Sequence, residues 1–102
     1  SYLMDQAGQW RLAPAYDLTY SAGPGGEHYL DVEGEGRNPT LEHVLALGRR
    51  HSLPDRLIHT TIDEVRAAVA DWPRFADEAG VSKASRAEIA TAHQAIAQRF
   101  SA

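Results

Sequence analysis

The sequence contains no cysteine, which excludes a disulfide framework and thiolate-bound zinc and agrees with a reducing, cytoplasmic setting. It has no apolar run near the roughly 18–20 residues of a membrane span. No basic-then-apolar leader opens it, so neither a membrane nor secretion is expected. Lysine and arginine number 10 against 14 aspartate and glutamate, a net charge of −4. That sign argues against direct contact with nucleic acid, whose binders usually show a basic face. The histidines, His28, His43, His51, His59 and His93, form no His-x-x-x-His pair, and no serine sits in a Gly-x-Ser-x-Gly turn. Zinc and serine-hydrolase chemistry both lack their residues. Asp31, Glu33 and Glu35 alternate as a solvated strand face does, without EF-hand spacing. Gly23-Pro24-Gly25-Gly26 lacks a Gly-Lys-Ser/Thr ending and a following helix, so it is a loop and not a phosphate-cradling P-loop. No internal repeat is present.

What is there begins with extended runs. Tyr2 to Asp5 and Gln9 to Ala13 flank a short loop ending in Gly8, a hairpin pattern that places Trp10 and Leu12 on one face. So small a strand pair must pack on helices or on a further sheet. Tyr2-Leu3-Met4 is strand-like from the outset, so the chain is expected to be a piece of something longer. Pro14 ends the second strand, and Ala15 to Thr19 is expected to make a turn or one helical turn. Glu27 to Glu33 alternates, with His28, Leu30 and Val32 on one face, and predicts a third short strand. Gly34 to Pro39 reads as a second loop.

The rest is helical. Thr40 is placed to cap a helix that ends near Arg49 to His51, where cations suit the C-terminal dipole. Pro54 opens the next helix. There Ile58, Ile62, Val65, Val69 and Trp72 make the clearest amphipathic stripe in the chain, better explained by core packing than by a partner. Pro73 stops that helix or kinks it at Trp72. One or two further turns close at Gly80. Ser82 then caps a last helix reaching about Phe100. Trp10 and Trp72 are expected to anchor the core, and His93, on an apolar face, to be a hydrogen-bonded core histidine.

Asp17 is the candidate site residue. It lies just past a strand end, between Tyr16 and Leu18. One reading is a turn aspartate whose carboxylate caps local N–H groups. The other is a ligand for Mg²⁺, which takes one or two protein carboxylates besides phosphate oxygens and waters. Spacing alone leaves both open.

Taken together, Tyr2-Leu3-Met4-Asp5 and Trp10-Arg11-Leu12-Ala13-Pro14-Ala15-Tyr16-Asp17-Leu18-Thr19 resemble the C-terminal part of HipA-like toxin kinases. Gly25-Gly26-Glu27-His28, Gly36-Arg37-Asn38-Pro39-Thr40, Glu64-Val65-Arg66 and Trp72-Pro73 are similar to that family too. The Pro-Ala-Tyr-Asp-Leu core is the most specific part. The resemblance implies a serine/threonine kinase with a distant protein-kinase fold, the toxin of a type II toxin–antitoxin pair, neutralised by a DNA-binding antitoxin. It implies that Asp17 stands where the metal-binding Asp of the DFG motif stands, holding Mg²⁺ against the phosphates of ATP. The phosphate-covering loop, the lysine, the catalytic Asp and the metal-binding Asn of such a site do not occur here. The resemblance implies that they precede Ser1, in an N-terminal remainder of the kinase, and that the substrate is a cytoplasmic protein.

The expected fold is α+β, predominantly α: a small hairpin, with a possible third strand, packed on a helical bundle like part of a kinase C-lobe. Residues 1–102 are expected to act as one unit, with the Asp17 motif and loops in 1–38 and the helices in 39–102. No catalytic residue is expected within the chain itself, and the chain alone is not expected to bind ATP or Mg²⁺ tightly. The alternative is a non-catalytic helical module that binds a kinase half or an antitoxin.

Overall fold

The structure, a computed structural model, describes residues 1–101. Strand β1 (Tyr2–Met4) pairs antiparallel with β2 (Trp10–Leu12), and four helices follow: α1 (Leu41–Arg50), α2 (Asp55–Ala70), α3 (Trp72–Glu78) and α4 (Lys83–Gln98). The fold is α+β and mainly α, as expected.

The hairpin closes through Asp5. Its Oδ1 accepts the amides of Ala7 at 2.9 Å and Gln9 at 3.0 Å. Gly8, at φ 80°, takes the left-handed position that a bulged three-residue loop requires. Tyr2 lies opposite Leu12 and Met4 opposite Trp10, which puts four large apolar side chains on one face. All four are exposed. Among the described residues neither strand comes within 8 Å of a helix between Cα atoms. Trp10 therefore does not anchor the core, contrary to the sequence expectation. Alternation correctly gave it an apolar face, but nothing in the described residues covers that face.

The third strand does not form. Glu33 (φ 54°) and Gly34 (φ 85°) make a tight two-residue turn, closed by Val32 and Glu35 exchanging amide hydrogen bonds at 3.0 and 3.1 Å. Only this single bridge is left of the strand. The alternation in 27–33 was real but had no neighbouring strand to pair with, and the Glu-Gly pair folds the segment back on itself. Asp31, Glu33 and Glu35 serve this loop. Asp31 Oδ1 accepts the Gly34 amide, Glu35 Oε1 accepts those of Arg37 and Asn38, and Glu33 pairs with Arg50 at 3.0 Å. The amides of Asn38 and Arg37 hold the Glu35 carboxyl below its ordinary value.

The helices start and stop where their end residues dictate. Thr40 precedes α1, and His43 Nδ1 accepts its amide at 3.1 Å. At the far end Leu53 N–H donates to Gly48 O and Ser52 N–H to Arg49 O, with Ser52 at φ 58°; these are the paired bonds of a Schellman stop. Helix α3 ends the same way, on Gly80. Pro73 separates α2 from α3, so the α2 helix ends at Ala70 and Trp72 opens the next one. Ser82 Oγ accepts the Ser85 amide and caps α4, which ends at Gln98, two residues before Phe100.

Among the described residues the buried core is small: Leu45, Ile58 and Ala76, with Gly48 against Ile58. The radius of gyration is 16.2 Å, against about 13 Å for a compact domain of this length. At the α1–α2 crossing a Cβ on Gly48 would lie 2.5 Å from Ile58 Cδ1 and 2.8 Å from its Cγ1. Gly is what lets these helices approach. Arg49 then clamps Asp55 with two hydrogen bonds, of 2.9 and 2.6 Å, across the turn.

Two predictions follow from these contacts. Overpacking costs about 1–3 kcal/mol, while the gain in helix propensity from Ala is at most about 1 kcal/mol. Gly48→Ala should therefore lower the urea midpoint, and an unchanged midpoint would mean that Ile58 moves aside freely. Separately, the Arg49 hydrogen bonds hold the Asp55 carboxyl below its ordinary value. A depressed value stabilises the fold above the unfolded pKa of about 3.9, and that contribution is lost as pH falls through the folded value. A carboxyl-detected NMR titration should find Asp55 ionised at that pH in the parent chain. In Arg49→Ala it should return to the ordinary range.

Candidate functional site

β2 ends at Leu12, but Ala13 still donates its amide to Ser1 O at 3.0 Å. Pro14 has no amide to continue the ladder, and the chain leaves the hairpin there. Residues 14–22 take no helical turn. They contain a narrow turn in which Thr19 N–H reaches Asp17 O at 3.1 Å.

Asp17 sits in this turn at φ 55°, one of three residues other than glycine with positive φ among those described. The left-handed region costs an L-residue roughly 1–2 kcal/mol, with Asp and Asn bearing it best. The Asp17 side chain is exposed and accepts no hydrogen bond among the described residues. A capping aspartate would show such a bond, as Asp5 does. The carboxylate is left free while the backbone beneath it is held in a costly conformation.

Two tyrosines flank this position. The Tyr16 hydroxyl lies 2.8 Å from Ser1 Oγ, tying the segment to the hairpin. The Tyr20 ring packs edge-on to His93 of α4, with centroids 6.3 Å apart at 83°. His93 in turn packs edge-on to Trp72 at 5.6 Å and 80°. Trp72 Nε1 donates to Arg86 O at 3.2 Å, fixing the indole to α4. Trp72 is half-buried, so it fulfils its expected anchoring role in part.

His93 differs from expectation. Its Nδ1 is buried and has no hydrogen-bond partner among the described residues. The apolar periodicity of α4 placed it correctly on an inner face, but its neighbours are rings and not acceptors. Tyr20 had no motif to mark it; its alternation with Tyr16 and Leu18 was the sole signal.

Past Tyr20, Gly23 has φ 67°, and a Cβ there would collide with Glu27 O. The loop 23–26 therefore needs glycine at its entry. Arg37 closes it by pairing with Glu27 at 2.8 Å. No helix begins here, only one short turn at Pro24–Gly26. Between α1 and α2 a shallow apolar groove is lined by Val44, Leu47, Leu53, Leu57 and Ile62.

Asp17 is the single carboxylate of its turn. Among the described residues no three His, Cys, Asp or Glu side chains converge as a metal cluster would require. No helix there is long and apolar enough to cross a membrane.

Because the Asp17 carboxylate makes no bond, Asp17→Asn should leave the thermal midpoint of the chain unchanged. A loss above about 1 kcal/mol, the size of a typical hydrogen bond, would instead give the carboxylate a structural role.

No curated protein and no solved structure matches the chain. A family model does, and it accounts for nearly the whole length from the hairpin through α4. Over residues 1–100 the chain matches the HipA-like C-terminal domain, and it belongs to that family.

Proposed function

We propose that this chain is the C-terminal part of a serine/threonine protein kinase, in which Asp17 ligates Mg²⁺ on the phosphates of ATP. The observation that carries this reading is the Asp17 carboxylate, free of hydrogen bonds on a backbone held at φ 55°. Strained backbone with an unengaged functional group is what a pre-organised ligand looks like. Membership of the HipA-like family supports the same assignment.

The donor suits the ion. An exposed carboxylate is a hard oxygen ligand, and Mg²⁺ needs one or two of these beside phosphate oxygens and waters. Bound there, the ion would neutralise charge on the transferring phosphoryl group. The chain's own residues have a narrower task, which is to hold one oxygen ligand in a fixed place. Tyr16 restrains Asp17 from the hairpin side, and the helices restrain it from the other. Residues 1–38 thus present the ligand and 39–102 support it, as one unit.

The rest of the site belongs, in this reading, to polypeptide preceding Ser1: the adenine pocket, the phosphate-covering loop, the catalytic Asp and the Asn. That half would cover the apolar face made by Tyr2, Met4, Trp10 and Leu12. The substrate would be a serine or threonine of a cytoplasmic protein. A DNA-binding antitoxin would restrain the whole protein as a toxin.

Two outcomes are expected. The 102 residues alone transfer no phosphate from ATP to protein. In a polypeptide that includes the nucleotide-binding half, Asp17→Asn lowers kcat by roughly 100- to 1,000-fold, the usual cost of removing a charge-stabilising group. Near-normal turnover by that variant would overturn the assignment, as would phosphoryl transfer by the isolated chain.

A further inference from the structure

We propose that Tyr20 and His93 are positioning residues for Asp17, acting as the clasp that fixes the Asp17 turn to the helices. The proposal rests on the reading of Asp17 as a ligand and adds how its place is set.

The segment 14–22 has no ladder or helix bonds to locate it. Its large side chains differ sharply in cover: Tyr16 is 69% exposed, Leu18 85% and Tyr20 38%. Tyr20 is the one that meets the helical part, through His93. His93 is itself wedged on Trp72, whose indole is hydrogen-bonded to α4. Three rings thus run in series from the Asp17 turn into the junction of α2, α3 and α4. On the other side, Tyr16 reaches Ser1. The left-handed Asp17 lies between these two holds, three residues from one and one from the other. A conformation that costs free energy persists only where its surroundings over-determine it.

The lone Nδ1 of His93 says how the clasp works. A buried polar atom without a partner is a cost, and no carboxylate lies within 4.0 Å of the imidazole among the described residues. Ring packing and not hydrogen bonding therefore holds His93. Edge-to-face pairs at these centroid distances contribute beyond their buried area. An aromatic ring without nitrogen should serve in its place.

The experiment is limited chymotrypsin digestion of the 102-residue chain, with cleavage after Tyr16 and Leu18 followed by mass spectrometry and helix content by circular dichroism. Tyr20→Ala should speed cleavage at these sites roughly twofold to tenfold, the range an aromatic pair of this geometry confers. The helical signal should be unchanged, since Tyr20 lies outside the helices. Tyr20→Phe and His93→Phe should cleave at the parent rate, and His93→Ala as fast as Tyr20→Ala. The double alanine variant should be no faster than either single one, because both remove the same contact. Parent-rate cleavage in Tyr20→Ala, additive effects in the double variant, or failure of His93→Phe to protect would each overturn the clasp. No nucleotide or metal enters this assay. A failed clasp therefore cannot be mistaken for a failed kinase reading, which is decided by turnover of Asp17→Asn.

Discussion

The indole of Trp72 gives its single hydrogen to a carbonyl of α4 and sets its ring against His93. It occupies the first position of α3, directly after the break that Pro73 imposes on the α2 stripe. One side chain thus joins the start of α3 to α4 at two places, Arg86 and His93. Arg86, whose carbonyl receives the indole, turns its own guanidinium back to Val81 O and Asp77. The α3–α4 turn is fixed by the residue that also fixes the tryptophan. What lies outward of this junction, including Tyr20 and the turn that holds Asp17, takes its position from it.

The rest of the helical part is held by close approach more than by volume. With Leu45, Ile58 and Ala76 as its buried side chains, the core has little apolar area to stabilise it, at about 25 cal/mol per Å². The α1–α2 crossing is tight because Gly48 has no side chain to hold Ile58 away. The exposed ion pairs of α3, Arg74 with Asp71 and Glu78, set helix ends and turns and add little to stability.

The helices were legible in the sequence because their ends are local chemistry. Thr40, Pro54, Pro73, Gly80 and Ser82 each act through bonds made or forbidden within a few residues. The Schellman stop at Ser52 was less visible, since serine carries no left-handed signature as Gly80 does. The segments that were misread depend on distant partners. Alternation in 27–33 required a neighbouring strand, and Trp10 required something to cover its face. Neither requirement can be read from the residues themselves. Asp17 was legible as a candidate through its motif. That its carboxylate would be free and its backbone left-handed was not, because both depend on how the flanking tyrosines are held. His93 was placed on the right face with the wrong company, since periodicity gives a direction and not a neighbour.

The hairpin has one consequence of another kind. Its two strands pair only with each other, so each presents an open edge of backbone donors and acceptors beside four uncovered apolar side chains. Open edges of this sort are templates for the addition of strands from other chains. An uncovered hairpin of this kind favours contact between copies of the chain. Whatever occupies that face protects the chain from its own copies.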